Sequence, residues 1–118
     1  MSDFTKSELQ DIINLSIDFK KNRRNPSYQY NNVFSGKHLV MIFEKNSLRT
    51  RLSFDIAIKE LGGHSSILNK SDIHLGEKET IEDTVKVISR MADMLMIRAY
   101  SHDMLIKAAK NATIPVIN

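Results

Sequence analysis

The chain has 118 residues, of which 42% are hydrophobic and 26% are charged, a composition that is typical of globular domains and argues against intrinsic disorder. It contains no cysteine, which excludes disulfide frameworks and thiolate metal sites, and no apolar stretch long enough to cross a membrane. The N-terminus lacks the pattern of a secretory signal, so we expect a cytoplasmic protein that does not bind membranes.

The first predicted element is a helix. Thr5 and Glu8 fit a capping box, which predicts a helix from about Lys6 to about Arg24, where Asn25-Pro26 breaks it. Apolar residues recur there at helical spacing from Leu9 to Phe19. Residues 26–37 are predicted to form a loop that ends in a turn at Ser35-Gly36.

Alternating strands and helices are predicted for the rest of the chain. The predicted strands cover residues 38–43, 64–68, 94–97 and 114–117. The first of the predicted helices covers residues 50–61, with an apolar face of Leu52, Ile56, Ala57 and Leu61, and it ends at Gly62-Gly63. The second begins at Thr80 and has Ile81, Val85, Ile88 and Met91 on one face. The third is short and runs from Ser101 to about Lys107. Residues 69–79 are predicted to be a loop.

The predicted strands are continuously apolar, which favours a parallel sheet that is covered by helices on both faces. We therefore predict the α/β class, with an open parallel sheet of about four strands flanked by helices.

Polar residues follow the first predicted strand, in the sequence FEKNSLRTR at positions 43–51. In open α/β sheets, ligands bind at the carboxyl ends of strands, and a helix start attracts anions. Ser47 and Thr50 add hydroxyl groups, and Arg49 adds a guanidinium that suits phosphate oxygens. The alternative interpretation is that Ser47 caps the helix while Arg49 and Arg51 face water.

Further cations accompany this turn. Arg98 follows the third predicted strand, so it would face the same crevice if the two strands are neighbours; alternatively, it pairs with a nearby carboxylate. His74 and Lys78 lie in a long loop, where they either bind an anion or are ordinary exposed residues. A basic run at Lys20, Lys21, Arg23 and Arg24 has no interleaved aromatic residues, which favours a helix end over a nucleic-acid patch.

Together these segments resemble the aspartate/ornithine carbamoyltransferase family. The Ser47–Thr50 turn is similar to the family's carbamoyl phosphate loop, usually Ser-Thr-Arg-Thr, with Leu48 at a position that works largely through its backbone N–H. The resemblance extends over LGGH at 61–64, DIHLG at 72–76, ETIEDT at 79–84 and RMAD to RAY at 90–100. The DIHLG loop and the Arg-x-Tyr ending resemble the members that act on ornithine.

The resemblance implies transfer of a carbamoyl group from carbamoyl phosphate to the side-chain amine of ornithine, giving citrulline and phosphate. It implies that Ser47, the Leu48 backbone, Arg49 and Thr50 hold the phosphate, and that Thr50 and Arg98 approach the carbamoyl oxygen. Arg49 and Arg98 would be the catalytic residues. No metal and no cofactor are implied. The family assembles as a trimer, in which His74 and Lys78 would act across a subunit interface.

Family members are longer, with a His-Pro-x-Gln motif and an ornithine-binding domain after the segment matched here. We therefore expect residues 1–118 to form an incomplete carbamoyl phosphate-binding domain that is inactive alone and meets ornithine only in a full-length enzyme. Three alternatives stay open: a non-catalytic anion-binding or subunit-interaction module, a carbamoyltransferase for another amine such as acylornithine or putrescine, and a nucleic-acid binder.

Overall fold

The computed structural model describes residues 4–73 and 79–118. Contacts within the chain divide it into two compact units, residues 1–31 and residues 32–118. In the part of the chain described, no helix is long and apolar enough to cross a membrane.

The first unit contains helix α1 (Lys6–Asn22) and the turns that follow it. The predicted capping box is present: the Thr5 hydroxyl accepts the Glu8 N–H at 3.3 Å, and the Glu8 carboxylate accepts the Thr5 N–H at 2.7 Å. The helix ends at Asn22 rather than near Arg24, because Arg23 is already its C-terminal cap. Phe19 packs against the rings of Tyr28 and Tyr30, with centroids 5.6 and 5.3 Å apart.

The second unit holds a four-stranded parallel sheet in the order β2-β1-β3-β4, which confirms the predicted fold class. The strands are β1 (His38–Phe43), β2 (His64–Asn69), β3 (Met94–Arg98) and β4 (Val116–Ile117). The helices are α2 (Leu48–Glu60), α3 (Lys70–Ile73), α4 (Ile81–Ile88) and α5 (His102–Asn111).

Both faces of the sheet are covered, as the continuously apolar strands predict. Val40 and Ile42 of β1 belong to a cluster that includes residues of α4 and α5. The alternate residues Leu39, Met41 and Phe43 belong to a second cluster, which includes Ile58 of α2. The central strands β1 and β3 are therefore buried on both sides, and their carboxyl ends are held in a fixed relation to each other.

Helix α2 differs from its prediction in start and in orientation. It begins at Leu48 rather than at residue 50, and it buries Ile58, whereas Leu52 and Ile56 of the predicted apolar face are 47% and 41% exposed. The α2 sequence has apolar residues on two sides, so periodicity alone does not select the packed side. Gly63 favours the side that carries Ile58, because its lack of a Cβ leaves room for that side chain. A Cβ at position 63 would lie only 2.9 Å from Ile58 Cγ1.

Further element boundaries differ from their predictions. Residues 70–73 form a helical turn rather than loop, since the Asp72 carboxylate accepts the Asn69 N–H at 2.7 Å. Helix α4 ends at Ile88, which leaves Met91 78% exposed. Helix α5 continues to Asn111, and β4 is shorter than predicted, because Pro115 has no N–H to donate to a neighbouring strand.

Asp93 joins the amino ends of β1 and β3. Its carboxylate accepts hydrogen bonds from Lys37 Nζ and from the His38 N–H, each at 2.9 Å. The bond from Lys37, helped by the one from His38, lowers the pKa of Asp93 below its ordinary value of 3.8. The folded state therefore holds this proton less tightly than the unfolded state does.

We expect this carboxylate to contribute to acid sensitivity. A depressed pKa stabilises the fold at pH values above the ordinary value of 3.8, and that contribution is lost as the pH falls through the folded pKa. Urea unfolding between pH 7 and pH 3 should show a smaller loss of stability for Asp93→Asn than for the wild-type chain. The exposed Asp103→Asn serves as the control; equal pH slopes for wild type and Asp93→Asn would contradict the expectation.

Candidate functional site

The loops that follow β1 and β3 leave the sheet side by side. Phe43 of β1 is paired with Arg98 of β3 in the parallel register, so both strands end at the same level. The pairing continues one residue further, because the Glu44 N–H donates to the Arg98 carbonyl oxygen at 3.0 Å. The structure thus makes neighbours of the two strands whose ends carry the predicted polar residues.

Arg98 reaches across to the start of α2. Its Nη1 atom donates to the Ser47 hydroxyl at 3.1 Å and to the Thr50 hydroxyl at 2.7 Å. The Arg98 side chain is exposed, while Ser47 and Thr50 are partly buried. The guanidinium group at the end of β3 therefore meets two hydroxyl groups from the start of α2, which follows β1.

The N-cap residue of α2 does not cap the helix with its side chain. Ser47 occupies the N-cap position without a side-chain capping bond, whereas Thr5 and Thr80 both accept a first-turn N–H of their helices. The first turn of α2 also carries no acidic residue. Arg49 near the positive end of the helix dipole is an unfavourable arrangement in the absence of an anion. Free N–H groups and cations together make this helix start attractive to an anion.

A cavity of about 340 Å³ opens beside these residues. Its polar lining includes Lys45, Thr50 and Arg98, and its apolar lining includes Phe54 and Met96. Two cationic side chains thus face one small space that could hold a compact anion. Among residues 4–73 and 79–118, no group of three or more His, Cys, Asp or Glu side chains is placed to hold a metal ion.

Asp55 holds α2 in place along the sheet. Its carboxylate accepts hydrogen bonds from Lys59 Nζ at 2.8 Å and from the hydroxyl of Ser65 in β2. The bond from Lys59, followed by the one from Ser65, lowers the pKa of Asp55. The contact fixes the position of α2 relative to β2, and with it the position of the helix start.

The predicted site residues separate into three groups. Ser47, Thr50 and Arg98 lie together. Leu48 and Arg49 are exposed on the first turn of α2, the Leu48 side chain by 73%, and neither lines the cavity. His74 and Lys78 lie outside the residues that the structure describes.

Three residues at the same edge were not predicted as part of the site. The Glu44 carboxylate accepts the Tyr100 N–H at 2.8 Å, and Lys45 Nζ lies 4.5 Å from the centroid of the Tyr100 ring. Lys45 also lines the cavity. Their sequence signal is positional: Glu44 and Lys45 directly follow β1, and Tyr100 lies just after β3, at the edge where ligands bind in open α/β sheets.

Comparison with known families finds a match over the full length of the chain. Residues 1–118 match the family described as aspartate/ornithine carbamoyltransferase, carbamoyl-P binding domain. The chain belongs to the aspartate/ornithine carbamoyltransferase family. The resemblance that begins with the Ser47–Thr50 turn is therefore confirmed over the whole chain.

Curated relatives of this carbamoyltransferase domain include proteins named ornithine carbamoyltransferase. The ornithine carbamoyltransferase of Methanocaldococcus jannaschii is 46% identical over 114 residues, which cover 97% of this chain and 36% of the relative. The catabolic ornithine carbamoyltransferase of Thermoplasma volcanium is 47% identical over 113 residues, which cover 96% of this chain and 36% of the relative. The chain thus spans little more than a third of these relatives.

Solved structures of carbamoyltransferases share the fold. The ornithine carbamoyltransferase from Pyrococcus furiosus superposes with a TM-score of 0.90 at 42% identity, covering 98% of this chain and 36% of that one. The catalytic subunit of the M. jannaschii aspartate transcarbamoylase superposes with a TM-score of 0.87 at 29% identity, covering 100% of this chain and 38% of that one. The fold is therefore common to proteins named for two different acceptors.

Proposed function

We propose that the edge formed by the ends of β1 and β3 binds carbamoyl phosphate for transfer of its carbamoyl group to the side-chain amine of ornithine. Citrulline and phosphate would be the products. The observation that carries the proposal is the Arg98 guanidinium, which is hydrogen-bonded to Ser47 and Thr50 at a helix start that has no cap of its own. Membership of a family described by carbamoyl-P binding supports the choice of anion.

The proposed roles follow from where charge lies in the reaction. The phosphate is anionic at the outset, and attack by a neutral amine places further negative charge on the carbamoyl oxygen. We assign the phosphate to Ser47, the Leu48 N–H, Arg49 and Thr50, and the carbamoyl oxygen to Thr50 and Arg98. Preorganised donors at both places lower the barrier, because they stabilise charge as it develops. The proposed catalytic residues are Arg49 and Arg98.

Ornithine is the preferred acceptor because the more similar relatives are named for it. Ornithine carbamoyltransferases reach 46% and 47% identity with this chain, compared with 29% for the aspartate transcarbamoylase subunit. In the proposed enzyme the protein is a trimer in which His74 and Lys78 reach the site of a neighbouring subunit. We expect the 118-residue chain alone to bind carbamoyl phosphate without transferring its carbamoyl group. Citrulline formation by this chain would contradict that expectation.

The proposal is tested by calorimetric titration of the chain with carbamoyl phosphate. We expect saturable binding by the wild-type chain and an affinity at least about tenfold lower for Arg49→Ala, since a hydrogen bond to a charged group contributes about 1.5–3 kcal/mol. Arg90→Ala is the matched control, because this exposed arginine precedes β3 and so lies at the opposite edge of the sheet. Wild-type binding that is absent, or that is weakened equally by both substitutions, would refute the proposed site.

A further inference from the structure

Glu44 places a carboxylate next in sequence to Lys45, which lines the cavity. It directly follows β1 and is partly buried. It contacts the end of β3 and the loop that follows: its N–H donates to the Arg98 carbonyl oxygen at 3.0 Å, and its Oε2 atom accepts the Tyr100 N–H at 2.8 Å. The backbone on both sides of Ala99 is therefore bonded to one residue of the other loop.

A negative charge is unfavourable at this place if its effect is electrostatic alone. Glu44 is adjacent in sequence to Lys45, which lines the cavity with Arg98, so its charge opposes the field that would attract an anion. Replacing it with a neutral residue should then strengthen anion binding. The presence of glutamate here, despite its cost to anion binding, is explained if its carboxylate has a structural role that depends on the shape of the side chain.

Within residues 4–73 and 79–118, few other contacts fix the loop that Glu44 holds. Tyr100 is 69% exposed, so burial of its ring contributes little to fixing the loop. The Tyr100 ring lies near Lys45, whose Nζ is 4.5 Å from the ring centroid. Ser101, the N-cap residue of α5, makes no side-chain capping bond. The bond from the Tyr100 N–H to the Glu44 carboxylate is therefore a main constraint on the segment that follows Arg98.

We propose that Glu44 is a positioning residue for the anion site. By accepting the Tyr100 N–H it fixes the backbone next to Arg98, and the guanidinium is thereby held over the hydroxyl groups of Ser47 and Thr50. This inference rests on the proposed function, because it assumes that an anion binds at the Arg98 guanidinium. Glu44 acts through the position of Arg98 and does not itself contact the anion.

The test compares two neutral substitutions with inorganic phosphate as the probe. Glu44→Gln keeps an oxygen acceptor of the same length, whereas Glu44→Ala removes it. Both lose the charge. We expect Glu44→Gln to bind phosphate at least as tightly as the wild type, and Glu44→Ala to bind about fivefold more weakly than Glu44→Gln, the effect of one ordinary hydrogen bond. Equal affinities for the two variants would overturn the proposal, since they would show that the charge alone matters.

A second measurement is made in the absence of any anion. In ¹H–¹⁵N NMR spectra, the Tyr100 amide should be protected from hydrogen exchange in the wild type and in Glu44→Gln, and it should exchange faster in Glu44→Ala. The Arg98 Nε–H signal should shift in Glu44→Ala but not in Glu44→Gln. Glu44→Asp, which keeps the charge but shortens the side chain, should resemble Glu44→Ala and provides a second variant if Glu44→Ala fails to fold.

The outcomes separate this inference from the proposed function. If the wild-type chain does not bind phosphate or carbamoyl phosphate, the proposed function fails and the inference fails with it. If the wild type binds, but Tyr100 exchange and the Arg98 signal are the same in Glu44→Ala as in Glu44→Gln, then the inference alone is overturned.

Discussion

Arg98→Ala is expected to lower the affinity for carbamoyl phosphate about 100-fold or more while leaving the fold intact. The guanidinium supplies a full charge and donors in a planar fork, and losing about two charge-assisted hydrogen bonds accounts for an effect of this size. The side chain is exposed, so its removal opens no cavity in the core. Ser47 would also lose its bond to Nη1 and become free to cap α2, which competes with an anion for the same N–H groups.

Arg98→Lys separates charge from shape. Lysine keeps the positive charge but has no planar fork, so it should bind carbamoyl phosphate with an affinity between those of the wild type and Arg98→Ala. Calorimetry gives the affinities, circular dichroism and urea unfolding verify the fold, and Arg90→Ala should be indistinguishable from the wild type. Wild-type affinity in a folded Arg98→Ala variant would exclude Arg98 from the binding site.

The second large effect concerns the core. Leu95→Ala should destabilise the chain by about 2–5 kcal/mol, the usual cost of removing a buried leucine side chain. Leu95 is fully buried, and its strand is paired on both sides, with Val40 of β1 and Val116 of β4. Domains of ordinary stability have about 5–15 kcal/mol in total, so the loss is a large fraction of that value.

Urea unfolding at pH 7 measures this effect, and Ile117→Ala is the matched control. Ile117 lies on the edge strand β4 and is 37% exposed, so truncating it should cost much less than truncating Leu95. Comparable midpoints for the two variants would show that β3 is not the centre of the core. Because Leu95 and Arg98 share a strand, phosphate affinity of the folded Leu95→Ala variant also reports how far core packing supports the site.

The sequence predicts best those features that depend on neighbouring residues. Strands β1 and β3 were predictable because each is a short apolar run. The caps at Thr5 and Thr80 were predictable because capping residues lie three positions from their partners. The packed side of α2 was not predictable, since either of its two apolar sides could face the sheet. The space beside Gly63, which has no Cβ, is what favours the side that carries Ile58. The shortness of β4 depends on which N–H groups meet a partner strand, which periodicity does not encode.

The same distinction applies to the site. The meeting of Ser47, Thr50 and Arg98 was predictable on the condition that β1 and β3 are neighbours, and the strand order satisfies that condition. The contact between Glu44 and Tyr100 was not predictable, because its donor is a backbone N–H and every residue type except proline has one. It follows from the register of Phe43 with Arg98, which the sequence does not specify.

The bonds from Arg98 to Ser47 and Thr50 join residues that are 51 and 48 positions apart in the chain. Closing so long a loop costs entropy before any contact repays it, so these bonds form when β1 and β3 pair and not earlier. A partly folded chain, even one with α2 intact, therefore lacks the binding surface altogether. During refolding, the time at which the chain first binds its ligand would accordingly report when the two central strands pair.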